Sequence, residues 1–348
     1  MICSTPEVKQ LNKERIRREI QKRERCTKTA IARETGLSIA TCSTILNEML
    51  GSGEILRVDQ DTSHIGRPAS QFRYNPDYQH VLAMYIRAEQ GECAVEFAVA
   101  DALGRQIRRE TLHPAAVTRD WMEKLTGDIM RQDGLIQGMT LGLPGRLDCE
   151  NIALCDTNLP IFTDEFNGEH DILGVELNVG NAMGFIASGV YSKISRGGKS
   201  GVCGGDTVAA VSFSAMEEAR IGCGIVIDGK VLYGHSGFAG ELLCVADGFG
   251  ISRARQTEMM LDSGNRCAFR ELAAKMVLTL IGTVNPGQVM LMGNGMQEAD
   301  AAAVREACCR VVSPEHVPEL LVDNDIAAYY ITGLIRTALD RLQFPLSS

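Results

Sequence analysis

The chain has 348 residues, of which 45% are hydrophobic and 23% are charged, and these ordinary globular values argue against intrinsic disorder. Its formal net charge of −9 is unevenly spread, because the first 73 residues contain 13 Lys and Arg against 9 Asp and Glu. A basic N-terminal part on an acidic remainder is consistent with a polyanion as the partner of the N-terminal part. No apolar run approaches the roughly 18 residues that span a bilayer, and no export signal is visible. We therefore expect a cytoplasmic protein without a membrane partner.

The 12 cysteines are scattered along the chain and form no Cys-x-x-Cys pair. Several lie in apolar or helical contexts, namely Cys26, Cys42, Cys93, Cys155 and Cys223. This pattern predicts buried free thiols in a reducing compartment, and neither disulfides nor a zinc site.

The first predicted element is a surface helix in LNKERIRREIQKRERC, residues 11–26, with one apolar stripe made of Leu11, Ile16, Ile20 and Cys26. The segment that follows, TKTAIARETGLSIATCSTILNEMLGSGEI, predicts two short helices. Thr27 or Thr29 caps the first, Gly36 ends it, and Ser38 caps the second, which runs to about Leu50. Two short helices joined by a Gly-containing turn make a helix-turn-helix, although an ordinary helical hairpin in a larger core gives the same pattern.

The second helix of this pair has two distinct faces. Cys42, Ile45, Leu46 and Met49 fall on one face, and small or polar residues fall on the other. Small and polar side chains allow a helix to enter a major groove and reach the base edges, but the helix lacks an outward Arg, so direct readout should be modest. The candidate DNA contacts in this unit are Thr29, Ser38, Ala40, Ser43, Thr44 and Asn47.

The next stretch, EILRVDQDTSHIGRPASQFRYN, predicts two short strands around a loop, which is the wing of a winged helix. Arg67, between Gly66 and Pro68, is suited to a minor groove, because that narrow cleft attracts guanidinium groups. The helices, the wing and the basic excess together predict a winged-helix domain that binds double-stranded DNA.

From Val81 onward the pattern is that of a mixed α/β body. Two turns, at Gln90-Gly91 and Leu103-Gly104, separate apolar strands as in an antiparallel sheet. Further expected elements are a helix at about 119–131, a strand ending in the loop 142–145, a strand feeding a helix at 175–189, two strands and a hairpin at 207–234, a helical stretch at 250–280, a strand ending at 293–295 and a last helix at 326–342.

Several motifs follow one another along the chain: the winged-helix head, LGLPGRLD, TNLPIF, GCGIVIDGKVLYGHSGFAGEL and VMLMGNG, of which DGKVLYGHSGFAGE is the most specific. Their order and spacing resemble the ROK family (repressors, open reading frames, kinases) over nearly the whole chain. The resemblance implies an α/β fold with an N-terminal winged helix-turn-helix followed by two lobes of the actin-like, ribonuclease H-like ATPase type. It implies a head at 1–76, a first lobe at 77–190 completed by a C-terminal helix at 325–348, and a second lobe at 191–324.

Three departures from the family's kinase motifs predict that sugar phosphorylation is lost. The first phosphate loop matches Tyr85 to Glu92, where the glycines and the threonine are missing and Glu89 would repel phosphate. The second matches Glu218 to Gly222, with a glutamate near phosphate. The family's catalytic aspartate falls on Val179, which cannot accept a proton. We therefore expect no enzyme activity.

The family's zinc cluster is also missing from the sequence. Cys244 stands where a ligating histidine would be, and no further cysteine occurs until Cys267. Because a structural zinc requires four ligands, we expect no metal, and we expect no other cofactor.

The resemblance leaves a candidate sugar site, made of Asn158, Asn178 and Glu241. Their amides and carboxylate offer the donors and acceptors that neighbouring hydroxyls require. Alternatively, Asn158 caps a turn and Glu241 pairs with an Arg inside the fold. The glycines at 222, 224, 237 and 240 are expected mainly to hold hairpin turns.

The leading hypothesis is a transcriptional regulator, a repressor of carbohydrate-metabolism genes, that forms a homodimer or a dimer of dimers and senses a carbohydrate effector. One alternative is an ATP-dependent sugar kinase with an added DNA-binding head, in which Asp148 or Asp156 would replace the missing base. Another is a regulator controlled by a protein partner.

Overall fold

The computed structural model describes residues 5–58, 70–89, 92–143, 145–148, 151–154, 171–172, 175–196, 207–215, 219–262 and 266–343. They form a small N-terminal head and a body with two β-sheets. The body is layered, because helices cover the outer face of each sheet and two further helices lie between the sheets.

The head contains three helices and three short strands. In chain order they are α1 (Thr5–Gln21), β1 (Cys26–Thr27), α2 (Lys28–Thr35), α3 (Ile39–Gly51), β2 (Ile55–Val58) and β3 (Gln71–Tyr74), and the strands pair in the order β1-β3-β2. Thr27 caps α2 by accepting a hydrogen bond from the Ala30 amide, so Thr29 is not the cap. Gly36 ends α2 with a φ of 70°, a left-handed conformation that favours glycine, and Ser38 caps α3. The winged-helix prediction is confirmed.

The apolar stripe expected before the helix pair is only partly correct. Ile16 and Ile20 are fully buried on α1, whereas Leu11 is half exposed and Cys26 lies in β1 beyond the end of the helix. The helix therefore packs into the head through its second half.

The first body sheet follows a short 3₁₀ turn at Pro76–Tyr78. Its elements in chain order are β4 (His80–Glu89), β5 (Glu92–Ala100), β6 (Gln106–Leu112), α4 (Arg119–Gln132), β7 (Ile136–Leu143), β8 (Gly145–Asp148), β9 (Asn151–Leu154), β10 (Asp171–Ile172), β11 (Val175–Asn181) and α5 (Ala182–Arg196). The strand order is β10-β11-β7-β4-β5-β6, with β8 and β9 paired separately. Strands β4, β7 and β11 run parallel, and β5 and β6 extend the sheet as an antiparallel meander.

The second body sheet repeats this arrangement. Its elements are β12 (Thr207–Ala215), β13 (Ala219–Ile227), β14 (Lys230–Val231), α6 (Leu242–Gly248), α7 (Arg253–Leu261), α8 (Arg266–Thr283), β15 (Gln288–Gly293), α9 (Glu298–Cys309) and β16 (Glu319–Val322), and the chain then enters α10 (Ile326–Gln343). The order β14-β13-β12-β15-β16 again joins an antiparallel meander to parallel strands. The two sheets thus have the same topology, which agrees with the predicted body of two lobes.

Helices α5 and α10 cross between the two sheets in one shared apolar core. The crossing is close because two glycines face backbone across it: Gly189 faces the Tyr329 carbonyl, and Gly333 faces the Phe185 carbonyl. The expected last helix is thereby confirmed. The lobe boundaries stay predictions, and the one at residue 190 falls inside α5.

The head is packed directly against the first sheet. Ala102 and Leu103, in the turn between β5 and β6, belong to the same apolar cluster as the helices of the head. The Ala102 amide also donates a hydrogen bond to the Pro76 carbonyl at 3.0 Å.

Across the described ranges, no helix has the length and apolar character needed to cross a bilayer.

The buried thiols predicted from sequence are confirmed at Cys26, Cys42, Cys93 and Cys223, while Cys155 lies outside the described residues. Burial raises the pKa of Cys223 to about 12, whereas Cys244 and Cys267 are exposed.

We expect a thiol-alkylating reagent at pH 8 to modify Cys244 and Cys267 in the folded protein and to leave Cys223 unmodified, because only an accessible thiolate reacts. Peptide mass spectrometry after a short pulse measures this directly. Denatured protein, in which all three sites should react at similar rates, is the control. Rapid native labelling of Cys223 would contradict its burial.

Candidate functional site: the recognition helix and the body

Helix α3 has the inner and outer faces that the sequence predicted. Cys42, Ile45, Leu46 and Met49 are buried. On the outer face, Ala40, Thr44 and Asn47 are exposed and Ser43 is half buried.

Local hydrogen bonds already engage some of the predicted DNA-contacting groups. The Ser38 hydroxyl accepts from the Thr41 amide, and the Thr44 hydroxyl donates to the Ala40 carbonyl at 3.2 Å. The Asn47 side chain makes no hydrogen bond within the described part of the chain, so its amide is available to a base edge. Thr29 is exposed in the first turn of α2, and Arg67 lies outside the described residues.

One exposed side chain on this helix was not predicted from the sequence. Ile39, the first residue of α3, is 54% exposed beside Ala40. Helical periodicity puts it at the edge of the apolar face, but Ser38 caps the helix directly before it, so no preceding turn of α3 covers the side chain. The sequence feature that could have predicted this exposure is the position of Ile39 directly after the helix cap.

A buried carboxylate that was not predicted from the sequence either, Glu54, connects the elements of the head. Glu54 is fully buried after α3; Arg17 Nε lies 2.5 Å from its Oε1, and Lys13 Nζ lies 3.0 Å from its Oε2. Tyr74 in β3 donates to the same carboxylate at 3.5 Å. Burial alone would lower the pKa of Arg17, but its hydrogen bond and charge interaction with Glu54 outweigh that effect and raise it. This cluster joins α1, the end of α3 and the wing.

In the body, the strand compared with the first phosphate loop is part of an aromatic core. Tyr85 on β4 stacks on Tyr330 of α10, with ring centroids 4.4 Å apart, and Phe185 of α5 also stacks on Tyr330, with centroids 6.2 Å apart. The Tyr85 hydroxyl donates to Glu96 at 2.6 Å, and Arg109 Nε lies 2.5 Å from the same carboxylate. The Tyr85 side chain is therefore a buried packing element.

The three proposed sugar contacts are not brought into one visible site. Asn158 lies outside the described residues, and Asn178 is placed only as a backbone position on β11, opposite Thr140 of β7. Glu241 precedes α6 and lines a cavity of about 200 Å³ with Phe238, Cys244 and Thr279. Among described residues its carboxylate has no Arg partner, so the alternative internal ion pair is not observed.

The cavity beside Glu241 lies on the outer face of the second sheet. Side chains alternate along β13, and Cys223 and Ile225 point into the core formed with α8, whereas α5 packs on the opposite face. Ile225 and Thr279 of α8 line the cavity, and no residue of the first sheet is among its lining residues in the described structure.

Four glycines, at 222, 224, 237 and 240, were expected to hold hairpin turns, and this prediction was wrong for the first two. Gly222 and Gly224 lie within β13, and the hairpin turn comes later, at Asp228-Gly229, where both residues have positive φ. A Cβ on Gly222 would lie 2.7 Å from the Met183 side chain, and one on Gly224 would overlap the Met183 carbonyl. These glycines allow α5 to approach the sheet. Gly237 and Gly240 do have positive φ in a loop.

The region compared with the family's zinc cluster forms helices α6 and α7. Cys244 is exposed, and its Sγ lies 2.8 Å from the Glu241 carbonyl oxygen. Within the part of the chain that the structure describes, no group of three or more His, Cys, Asp or Glu side chains could hold a metal ion.

A winged helix that leads into two lobes of repeated topology defines the class of fold, and comparisons with known proteins agree. Residues 11–53 match the family model of winged helix-turn-helix DNA-binding domains. No curated protein sequence matches the chain.

Solved structures resemble the chain over both the head and the body. A ROK family transcriptional regulator, described as a homologue of the E. coli MLC protein, aligns over 97% of this chain and 98% of its own, with a TM-score of 0.69 and 17% identity. The ROK hexokinase of Thermus thermophilus aligns over 76% of this chain and 100% of its own, with a TM-score of 0.55 and 18% identity.

A third similar structure is a ROK family protein from Streptococcus pneumoniae in complex with sucrose. It aligns over 76% of this chain and 100% of its own, with a TM-score of 0.52 and 14% identity. At these identities the likeness concerns the fold, and it confirms the fold class: a winged helix-turn-helix followed by a two-lobed body with the fold seen in ROK proteins.

Proposed function

We propose that this protein is a DNA-binding transcriptional regulator. The observation that carries the proposal is the exposed outer face of α3, bearing Ala40, Thr44 and Asn47, in a head that matches winged helix-turn-helix DNA-binding domains. Residues at the start of such a helix contact base edges when it lies in the major groove. Thr29, Ser38, Ser43 and Arg67 complete the proposed DNA-contacting set.

The body, in this proposal, forms a homodimer or a dimer of dimers and makes the protein a repressor of carbohydrate-metabolism genes in the cytoplasm. Dimerisation would place two recognition helices on two half-sites. A carbohydrate effector would act through Asn158, Asn178 and Glu241, and it must bind the two functional states with different affinity. The likeness to a sucrose-bound ROK protein supports this choice of ligand class.

The proposal excludes a sugar kinase activity for this chain. Val179 replaces the residue that would accept the substrate proton, and Tyr85, in the stretch compared with the first phosphate loop, is buried against Tyr330 and Glu96. Of the two substitutes for the base, Asp148 lies at the end of β8, and Asp156 is outside the described residues.

The test is selection of binding sites from random DNA, followed by fluorescence anisotropy on the selected duplex. We expect specific binding that weakens as salt rises, since Lys and Arg contacts with phosphate release counterions. Asn47→Ala should lose about tenfold or more in affinity, the loss of a good amide-to-adenine contact. Gln106→Ala, an exposed amide on β6, is the matched control and should bind like the wild type.

The same protein–DNA complex tests whether the body binds a carbohydrate effector. Titration with a panel of sugars and sugar phosphates should release the DNA for one compound, and Glu241→Ala should abolish that release. Release by no compound would contradict the effector part of the proposal. Failure to select any specific DNA would contradict the proposal as a whole.

A further inference from the structure

The first residue of the recognition helix is a large aliphatic side chain that the head does not bury. Ile39 is 54% exposed, while Cys42, Ile45, Leu46 and Met49 on the same helix are at most 2% exposed. The head is therefore packed without it. Ala40, also exposed, follows it directly, so the N-terminal turn of α3 presents two adjacent apolar groups.

The rest of the outer face limits what this helix can read. No Lys or Arg occurs in Ile39–Gly51, so the helix lacks the side chains that contact guanine most often. The exposed Glu48 carboxylate pairs with Lys9, and what otherwise remains on this helix for base recognition is the apolar pair, the hydroxyls of Thr41, Ser43 and Thr44, and the amide of Asn47. In the major groove the 5-methyl group of thymine is the apolar feature of the four bases.

We propose that Ile39, together with Ala40, is a specificity-determining contact for thymine methyl groups in the major groove. Each half-site would then carry thymine where the start of α3 enters the groove, and the exposed amide of Asn47 would read a base farther along the helix. This inference rests on the proposed DNA-binding function and adds the chemistry that the helix recognises.

Deoxyuridine isolates this contact, because it differs from thymidine only by the missing 5-methyl group and pairs identically with adenine. Removing one buried methyl should weaken binding about fourfold, on the usual scale for burial of a CH₂-sized group. Adenine contacts and backbone contacts keep all their atoms in such a duplex.

The experiment replaces each thymine of the selected duplex by deoxyuridine, one position at a time, and measures affinity by anisotropy for wild type and Ile39→Ala. In wild type we expect at least one position in each half-site to lose about fourfold. In Ile39→Ala that position should become insensitive, so that thymine and uracil duplexes bind equally. Ile39→Val, which keeps a branched apolar end, should restore part of the discrimination.

Leu11→Ala is the matched control, because Leu11 is a similarly exposed aliphatic residue, 50% exposed, on α1. It should retain the full uracil penalty, and thermal melting should show that all variants are folded. The inference is overturned if wild type binds specific DNA with no uracil-sensitive position, or if Ile39→Ala keeps the same penalties. Absence of any specific DNA binding would instead overturn the proposed function.

Discussion

Replacing Gly333 by alanine is expected to lower the free energy of unfolding of the body by about 3 kcal/mol. Gly333 lies on α10 where this helix crosses α5, and a Cβ there would overlap the Phe185 carbonyl. The obstacle is helix backbone, which cannot rotate away as a flexible side chain can. The two helices would have to separate, and the apolar core that they share with both sheets would loosen.

The control for this prediction is Gly282→Ala in α8. That glycine is also helical, but a Cβ on it would have nothing within 4 Å. Alanine should there stabilise the protein by up to about 1 kcal/mol through helix propensity. Urea denaturation followed by far-UV circular dichroism measures both variants, because Trp121, the only tryptophan, lies on α4 of the first lobe and would not report on α8 of the second. Equal effects of the two substitutions would contradict the close crossing.

The second large effect concerns the head. Glu54→Gln should destabilise it by about 3 kcal/mol, because the substitution keeps the shape of the side chain and removes the charge that pairs with Arg17. The Arg17 side chain is only 7% exposed, so its unpaired charge would remain out of water.

Hydrogen exchange of the peptides covering α1 to α3 is the appropriate measurement, since Trp121 lies in the body and does not report on the head. Glu48→Gln is the matched control. Its pair with Lys9, at 2.8 Å, is about half exposed at both ends and should contribute less than about 1 kcal/mol. Head peptides that exchange as slowly in Glu54→Gln as in wild type would show that the buried pair is not required.

The head could be predicted from sequence almost completely, since its signals are local. Thr27, Gly36 and Ser38 act on residues within one helical turn of themselves. Glu54 could not be recognised in this way, because Arg17 is 37 residues away and becomes its partner only when α1 folds against the wing.

In the body, most strands and helices followed from apolar runs and turns, but α9 and β16 were not predicted, and neither were the roles of individual residues. Gly222 and Gly224 were interpreted as turn glycines, although what requires them is α5, about 40 residues earlier in the chain. The same limit applies to the proposed sugar contacts. A matching motif identifies Glu241, but only the surrounding packing shows that it lines a cavity beside α8.

The packing of the head on the turn that contains Ala102 and Leu103 has a consequence for the thermodynamics of DNA binding. A recognition domain on a flexible tether must give up the freedom of its tether each time it binds. Here the apolar contact with the first lobe defines an orientation of α3 before DNA binds. In a dimer, this contact would oppose changes in the separation of the two recognition helices, and DNA with the wrong half-site spacing would have to bend or twist to fit.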